Sequence, residues 1–170
     1  MDFAKILEHN HSKATTELIV TSILEEPILL NTLMDVFLKG NSRLRQRASW
    51  PLSFIAQKHP ATMLKVIPQL TEELEKDNQH PAIYRNILRT FQYLSFSEQQ
   101  EGRILNRSFD LLNNIEQPIA VKVFAMTVIA NLAEKYPDLK PELRASIETL
   151  IPNGSPGVKS RGKKILKKLN

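Results

Sequence analysis

The sequence predicts an all-α protein built as a stack of helix pairs, and three observations carry that expectation. The first is a nine-residue pattern, apolar, basic or polar, two variable, apolar or small, three variable, apolar, that returns at nearly constant spacing. It reads Leu44-Arg45-x-x-Ala48-x-x-x-Leu52, Ile83-Tyr84-x-x-Ile87-x-x-x-Phe91, Val121-Lys122-x-x-Ala125-x-x-x-Ile129 and Val158-Lys159-x-x-Gly162-x-x-x-Leu166, at intervals of 39, 38 and 37 residues. A period of that length marks helical hairpins that cannot bury their apolar sides alone and share one elongated core. The second is punctuation. Glu26-Pro27, His59-Pro60, His80-Pro81, Gln117-Pro118, Tyr136-Pro137 and Ser155-Pro156 place proline where a first turn accepts its missing N–H and where the preceding residue resists helix. Gly40-Asn41 and Asn153-Gly154 supply stops. The third is that no stretch alternates apolar and polar residues, so no sheet is expected.

The elements follow in chain order. A leading helix over 2–9 closes the N-terminal end. The first pair spans 12–25 and 28–39, with Leu30, Leu33, Met34, Phe37 and Leu38 on its buried side. The second spans 42–58 and 61–76, the latter carrying Met63, Leu64, Ile67, Leu70 and Leu74. The third spans 81–95 and 97–114, with Ile104, Leu105, Phe109 and Leu112 inward. The clearest helix is 118–135, where Val121, Phe124, Ala125, Val128, Ile129 and Leu132 keep the i, i+3, i+4, i+7 rule. Its partner over 138–151 carries Leu139, Leu143, Ile147, Leu150 and Ile151, and a last helix over 157–169 ends the stack.

At 170 residues and 42% hydrophobic, the chain is read as a single domain, 1–170, with one sizeable core. It has no cysteine, which excludes disulfides, thiolate catalysis and sulfur-ligated metals together. The start, Met1-Asp2-Phe3-Ala4-Lys5, has an early acid and no long apolar run, so neither a secretory signal nor a membrane span is expected and a cytoplasmic location is the default. The net charge of +5 is uneven: residues 1–154 carry 17 basic against 18 acidic side chains, and residues 155–170 carry 6 basic and none acidic. The basicity describes one terminal segment.

The repeated starts, together with Val66-Ile67-Pro68-x-Leu70-x-x-x-Leu74, resemble HEAT repeats over roughly residues 12–169. The resemblance implies a right-handed armadillo-type α-α superhelix of about four to five helix pairs. The tetratricopeptide and ankyrin signatures are missing. The whole chain is also similar to short bacterial helical-repeat proteins whose role is unsettled. Some of them bear an adenylosuccinate lyase name, but the Ser-Ser-x-Met-Pro-x-Lys-x-Asn loop that such lyases resemble is absent here.

Catalytic constellations are nearly absent. There is no Gly-x-Ser-x-Gly elbow, His-Glu-x-x-His motif, Walker loop or Gly-x-Gly-x-x-Gly fingerprint, and no cofactor or metal is expected. His9 and His11 have metal-binding residue types but read as solvated residues of a frayed terminus, while His59 and His80 precede prolines and read as turn residues. The acidic run Glu72, Glu73, Glu75 and Asp77 reads as a solvated helix face.

Two segments are candidates for partner binding. Arg43, Arg45 and Arg47, followed by Trp50, interleave basic and aromatic residues; Leu44, Ala48 and Leu52 turn inward and leave the arginines round the exposed arc. Trp50 reads either as a stacking platform or as an indole packed on the adjoining repeat beside Phe54. The terminal helix sets Lys159, Arg161, Lys163, Lys164, Lys167 and Lys168 against an apolar face of Val158, Gly162, Ile165, Leu166 and Leu169. It reads as a polar cap, or as a contact for phosphates.

The leading expectation is a non-enzymatic interaction module whose second helices line a concave face for another protein or peptide. The alternative is nucleic-acid binding through Arg43, Arg45, Arg47 and the terminal helix, with a fold-level resemblance to alkylpurine DNA glycosylases. A small lyase or hydrolase built on the acidic run has the least support.

Overall fold

The computed structural model describes residues 1–169, and among them it contains helices, turns and no strand. Contacts gather the chain into two compact units, Met1–Ser95 and a second that starts at Phe96.

The first unit holds α1 (Phe3–His9), α2 (Lys13–Glu25), α3 (Leu29–Lys39), α4 (Ser42–Lys58), α5 (Pro60–Met63), α6 (Ile67–Glu75) and α7 (Pro81–Phe91). The starts of α1, α2 and α4 are set by short polar side chains that satisfy orphan amides: Asp2 accepts from the Lys5 N–H at 3.0 Å, Ser12 from Thr15 at 3.1 Å and Asn41 from Leu44 at 3.0 Å. α4 is the hub. Its Leu44, Ala48, Leu52, Ile55 and Ala56 are buried, and it packs on α2, α3 and α7, whose Ile83, Ile87, Leu88 and Phe91 are buried in turn. Pro51 sits inside α4, as the sequence requires, and is buried.

One expected helix is broken. The segment 61–76 forms α5, a tight turn of 3-10 helix at Leu64–Val66, and then α6. Pro68 is the cause: it has no N–H for the carbonyl one turn back, and its ring crowds both that carbonyl and the preceding residue. The break rotates the apolar stripe. Leu64, expected inward, is 55% exposed, while Met63, Ile67, Leu70 and Leu74 keep their places in the core.

The second unit holds α8 (Glu98–Asn113), α9 (Ile119–Lys135), α10 (Lys140–Leu150) and α11 (Pro156–Leu169), with a 3-10 turn at Pro137–Leu139. α8 opens with a capping box between Ser97 and Gln100. α9 lies between α8 and α11, and α11 also touches α10. Val121, Ala125, Val128 and Ile129 of α9 meet a core that includes Ile104 and Leu112 of α8, Ile147 of α10 and Val158 and Ile165 of α11. Leu105 and Phe124, expected inward, are only partly buried. Among the described residues, no helix is long and apolar enough to cross a membrane.

Candidate functional site

Successive arginines at alternate positions leave a helix on different sides, and α4 places its three in three environments. Arg43 is exposed. Arg45 is drawn inward: its Nε donates to the Phe37 carbonyl at 3.1 Å, and its Nη2 donates to Glu73 Oε2 at 2.5 Å and to Gln79 Oε1 at 2.8 Å. Arg47 donates through Nη1 to the carbonyls of Leu7 at 2.5 Å and Glu8 at 3.0 Å, near the end of α1. The expectation that all three arginines spread round the exposed arc is therefore corrected. A buried carboxylate captures one, and the carbonyl-rich end of a helix captures another. The solvated reading of the acidic run is corrected at the same place, because Glu73 is 3% exposed, whereas Glu72 and Asp77 are exposed.

Around Trp50 a basic and aromatic cluster forms within the first unit. The indole stands 5.1 Å from the His11 ring at an interplanar angle of 59°, and 5.8 Å from Phe54 in an edge arrangement. His11 is exposed, as expected, and its ring stands against the indole. Arg89 of α7 places its guanidinium carbon 4.7 Å over the Phe54 ring. Arg85, one turn earlier, is half-buried and donates to Asn86 Oδ1 at 3.3 Å. Among the described residues, no carboxylate lies within ion-pair distance of Arg47, Arg85 or Arg89.

The electrostatics record this crowding. Burial, then the neighbouring Arg89, pulls the Arg85 guanidinium below its ordinary value. Burial, then Arg47 and Arg85, holds the His11 imidazole below the usual histidine range. Like charges held together without a counter-ion favour an anionic ligand, and guanidinium beside aromatic faces suits a carboxylate, which it can meet with two parallel hydrogen bonds. Arg85 and Arg89 were not singled out from the sequence. Their i, i+4 spacing on the polar side of α7 was the available signal, but the ring that Arg89 meets lies on another helix.

In the second unit, α11 buries Val158, Gly162, Ile165 and Leu169 and leaves Lys159, Lys163, Lys164, Lys167 and Lys168 exposed. Arg161 is half-buried and donates to Thr127 Oγ1 at 2.7 Å. Arg161, Lys164, Lys168 and Lys140 line a cleft of about 130 Å³ with Thr127 and Asn131, and Glu134 is its one acid. Lys159, Lys163 and Lys167 are not part of that lining. Behind α9, buried Glu101 accepts from Lys135 at 2.8 Å and from the Tyr136 hydroxyl at 2.5 Å.

The remaining histidines are local. His9 Nδ1 lies 2.8 Å from the Lys5 carbonyl, His59 Nδ1 lies 2.7 Å from Thr62 Oγ1, and His80 Nδ1 accepts from the Ala82 N–H at 3.1 Å. Among the described residues, no group of three or more His, Asp or Glu side chains is placed to hold a metal ion.

The HEAT repeat domain family model matches residues 3–169 of the chain. No curated protein and no solved structure matches it.

Proposed function

From its membership of the HEAT repeat domain family, we propose that this chain is a non-enzymatic interaction module that holds an acidic segment of a partner protein. The observation that carries the reading is the pair Arg85 and Arg89, cations without a carboxylate partner, of which Arg89 lies over the Phe54 ring and Phe54 in turn meets Trp50. Arginine and tryptophan are enriched among the residues that dominate the energetics of protein interfaces, the indole through a large rigid contact area and the guanidinium through its planar, bidentate donors. The patch sits on α4 and α7, the first helices of two successive repeats, and not on the second helices.

A second reading, nucleic-acid binding, rests on the cleft of Lys140, Arg161, Lys164 and Lys168, whose charge suits phosphate. The Trp50 surroundings favour it less, because His11 and Phe54 already occupy the neighbourhood of the indole that a base would stack on.

Fluorescence anisotropy over a salt series, with a glutamate-rich peptide and with single-stranded and duplex oligonucleotides, separates the readings. The proposal expects peptide binding that an R85Q/R89Q variant loses and a K164Q/K168Q variant keeps. Oligonucleotide binding lost only in the K164Q/K168Q variant, with no peptide binding by the parent chain, overturns it in favour of the second reading.

A further inference from the structure

Residues 155–170 carry six basic side chains and no acidic one, and α11 divides them into two sets. Lys159, Lys163 and Lys167 recur every fourth residue on its exposed side, where they give the last helix the polar outer face that ends a repeat stack. Arg161, Lys164 and Lys168 instead line the cleft where α9, α10 and α11 meet, and Lys140, at the start of α10, joins them there. A polar cap requires no such convergence, because like charges brought into one cleft repel.

Three features of the cleft agree on what would relieve that repulsion. Among the described residues, no carboxylate lies within ion-pair distance of Lys140, Arg161, Lys164 or Lys168. Four cations against the single acid Glu134 therefore leave an excess of three positive charges. Arg161 is also held in advance. The Thr127 hydroxyl donates to the Val123 carbonyl at 3.1 Å and so meets Arg161 Nη1 as an acceptor, at 2.7 Å. The half-buried guanidinium is thereby fixed to α9, while its Nε and Nη2 have no acceptor among the described residues. Finally, no aromatic side chain lines the cleft.

We propose that this cleft receives a phosphorylated serine or threonine from a segment of a partner protein. A carboxylate brings one charge and two oxygens, whereas a phosphate monoester brings close to two charges and three acceptor oxygens, which suits this excess of cations. Arg161 supplies the planar donors, preset by Thr127 as a positioning residue, and Lys140, Lys164 and Lys168 close round the remaining oxygens as mobile point charges. A nucleic-acid phosphate is a diester of single charge, and its bases would find no ring to stack on here. The assignment rests on reading the chain as a protein-interaction module, but it uses residues of the second unit only.

The test measures anisotropy of fluorescein-labelled nonapeptide pools, mixed in sequence round a central phosphoserine, serine or glutamate, on the full chain at physiological salt. The phosphoserine pool is expected to bind about tenfold or more tightly than either of the others. The K164Q/K168Q variant, changed at exposed positions, should lose that preference. Thr127→Val should weaken phosphoserine binding severalfold and Thr127→Ser should restore it, which separates a hydroxyl that positions Arg161 from a side chain that only fills space. Circular dichroism reports that each variant is folded. Equal binding of the three pools, or no binding of any, overturns the proposal. Inorganic phosphate binding as tightly as the phosphoserine pool overturns the protein source in favour of a free anion. A single-stranded oligonucleotide without terminal phosphates, displacing the pool and itself lost in the K164Q/K168Q variant, overturns it in favour of nucleic acid. The R85Q/R89Q variant is expected to bind the phosphoserine pool as the parent does, so a failure of the patch reading stays distinct from a failure of this one. Loss of binding in that variant would place the phosphate on the patch and overturn the cleft.

Discussion

Arg45 and Glu73 meet at 2.5 Å, Nη2 to Oε2, and join α4 to α6 across a contact in which Glu73 is almost wholly enclosed. Glu73 also receives the Lys76 ammonium through its other oxygen, and the Gln79 side-chain amide donates to Glu73 Oε2 at 3.1 Å as well as to the Glu73 backbone carbonyl. Two cations and an amide thus depend on one carboxylate. Glu73→Gln keeps the shape and removes the charge, leaving Arg45 with only neutral acceptors. We expect a loss of about 2 kcal/mol in urea unfolding, against less than about 0.5 kcal/mol for Glu72→Gln on the exposed side of the same turn. Equal effects would show that the pair adds nothing to stability.

The Glu101 contact gives stability a defined dependence on pH. Hydrogen bonds from Lys135 and then Tyr136 hold the Glu101 carboxyl below its ordinary value, and the same carboxylate holds Lys135 above the usual lysine range. A depressed carboxyl means that the unfolded chain takes up the proton first as pH falls. Its contribution is therefore complete above the unfolded value of about 4.3 and is lost as pH drops through the lower folded value. The Lys135 side of the bond has the opposite sign, with stability lost only as pH rises beyond the ordinary lysine range. Glu101→Gln should be less stable than the parent at about pH 7 and should converge with it in strong acid. Urea midpoints across that range check this, and a constant gap would contradict it.

His11 reports on the patch. Its imidazole is held down by burial and by Arg47 and Arg85, so the unfolded chain protonates first as pH falls through about 6.5, and acidification there costs stability. An anion beside the arginines would cancel their repulsion and raise the His11 value. Imidazole resonances followed by NMR should titrate higher once a glutamate-rich peptide is added. They should also titrate higher in the Arg85→Gln variant without peptide. An unchanged titration in both cases would mean that His11 and the arginines do not share a binding surface.

The repeat was legible because packing imposed it. Leu44, Ala48 and Leu52 recur as Val121, Ala125 and Ile129, and all six are buried. Helix starts were legible for the same reason, since Asp2, Ser12 and Asn41 must answer amides that no carbonyl can reach. The break at Leu64–Val66 was not, because Pro68 is tolerated in a first turn and the sequence does not say which turn is first. The site was harder still. Arg45 and Arg47 have the composition of a binding strip, and only tertiary contacts with Glu73 and the end of α1 reveal that they hold the fold together. Arg89 became visible only when α7 set it over the Phe54 ring of α4, with Arg85 one turn earlier on the same helix.

Two glycines should respond to the same substitution with opposite signs. Gly162 of α11 occupies the small position of the pattern, and a Cβ there would stand 2.9 Å from Ile147 Cγ2 and 3.3 Å from Ile151 Cδ1. Ile147 is fully buried and has little room to yield. Overpacking of that kind costs about 1–3 kcal/mol, more than the ~1 kcal/mol that alanine gains over glycine inside a helix. Gly162→Ala should therefore lose about 1 kcal/mol, and Gly162→Val more. Gly102 of α8 has no atom within 4 Å of the same added carbon and is exposed, so Gly102→Ala should gain about 0.5–1 kcal/mol. Thermal and urea unfolding of the two alanine variants decides the matter: stabilisation of both would mean that α11 does not pack closely on α10, and destabilisation of both would mean that α8 is not a regular helix at Gly102.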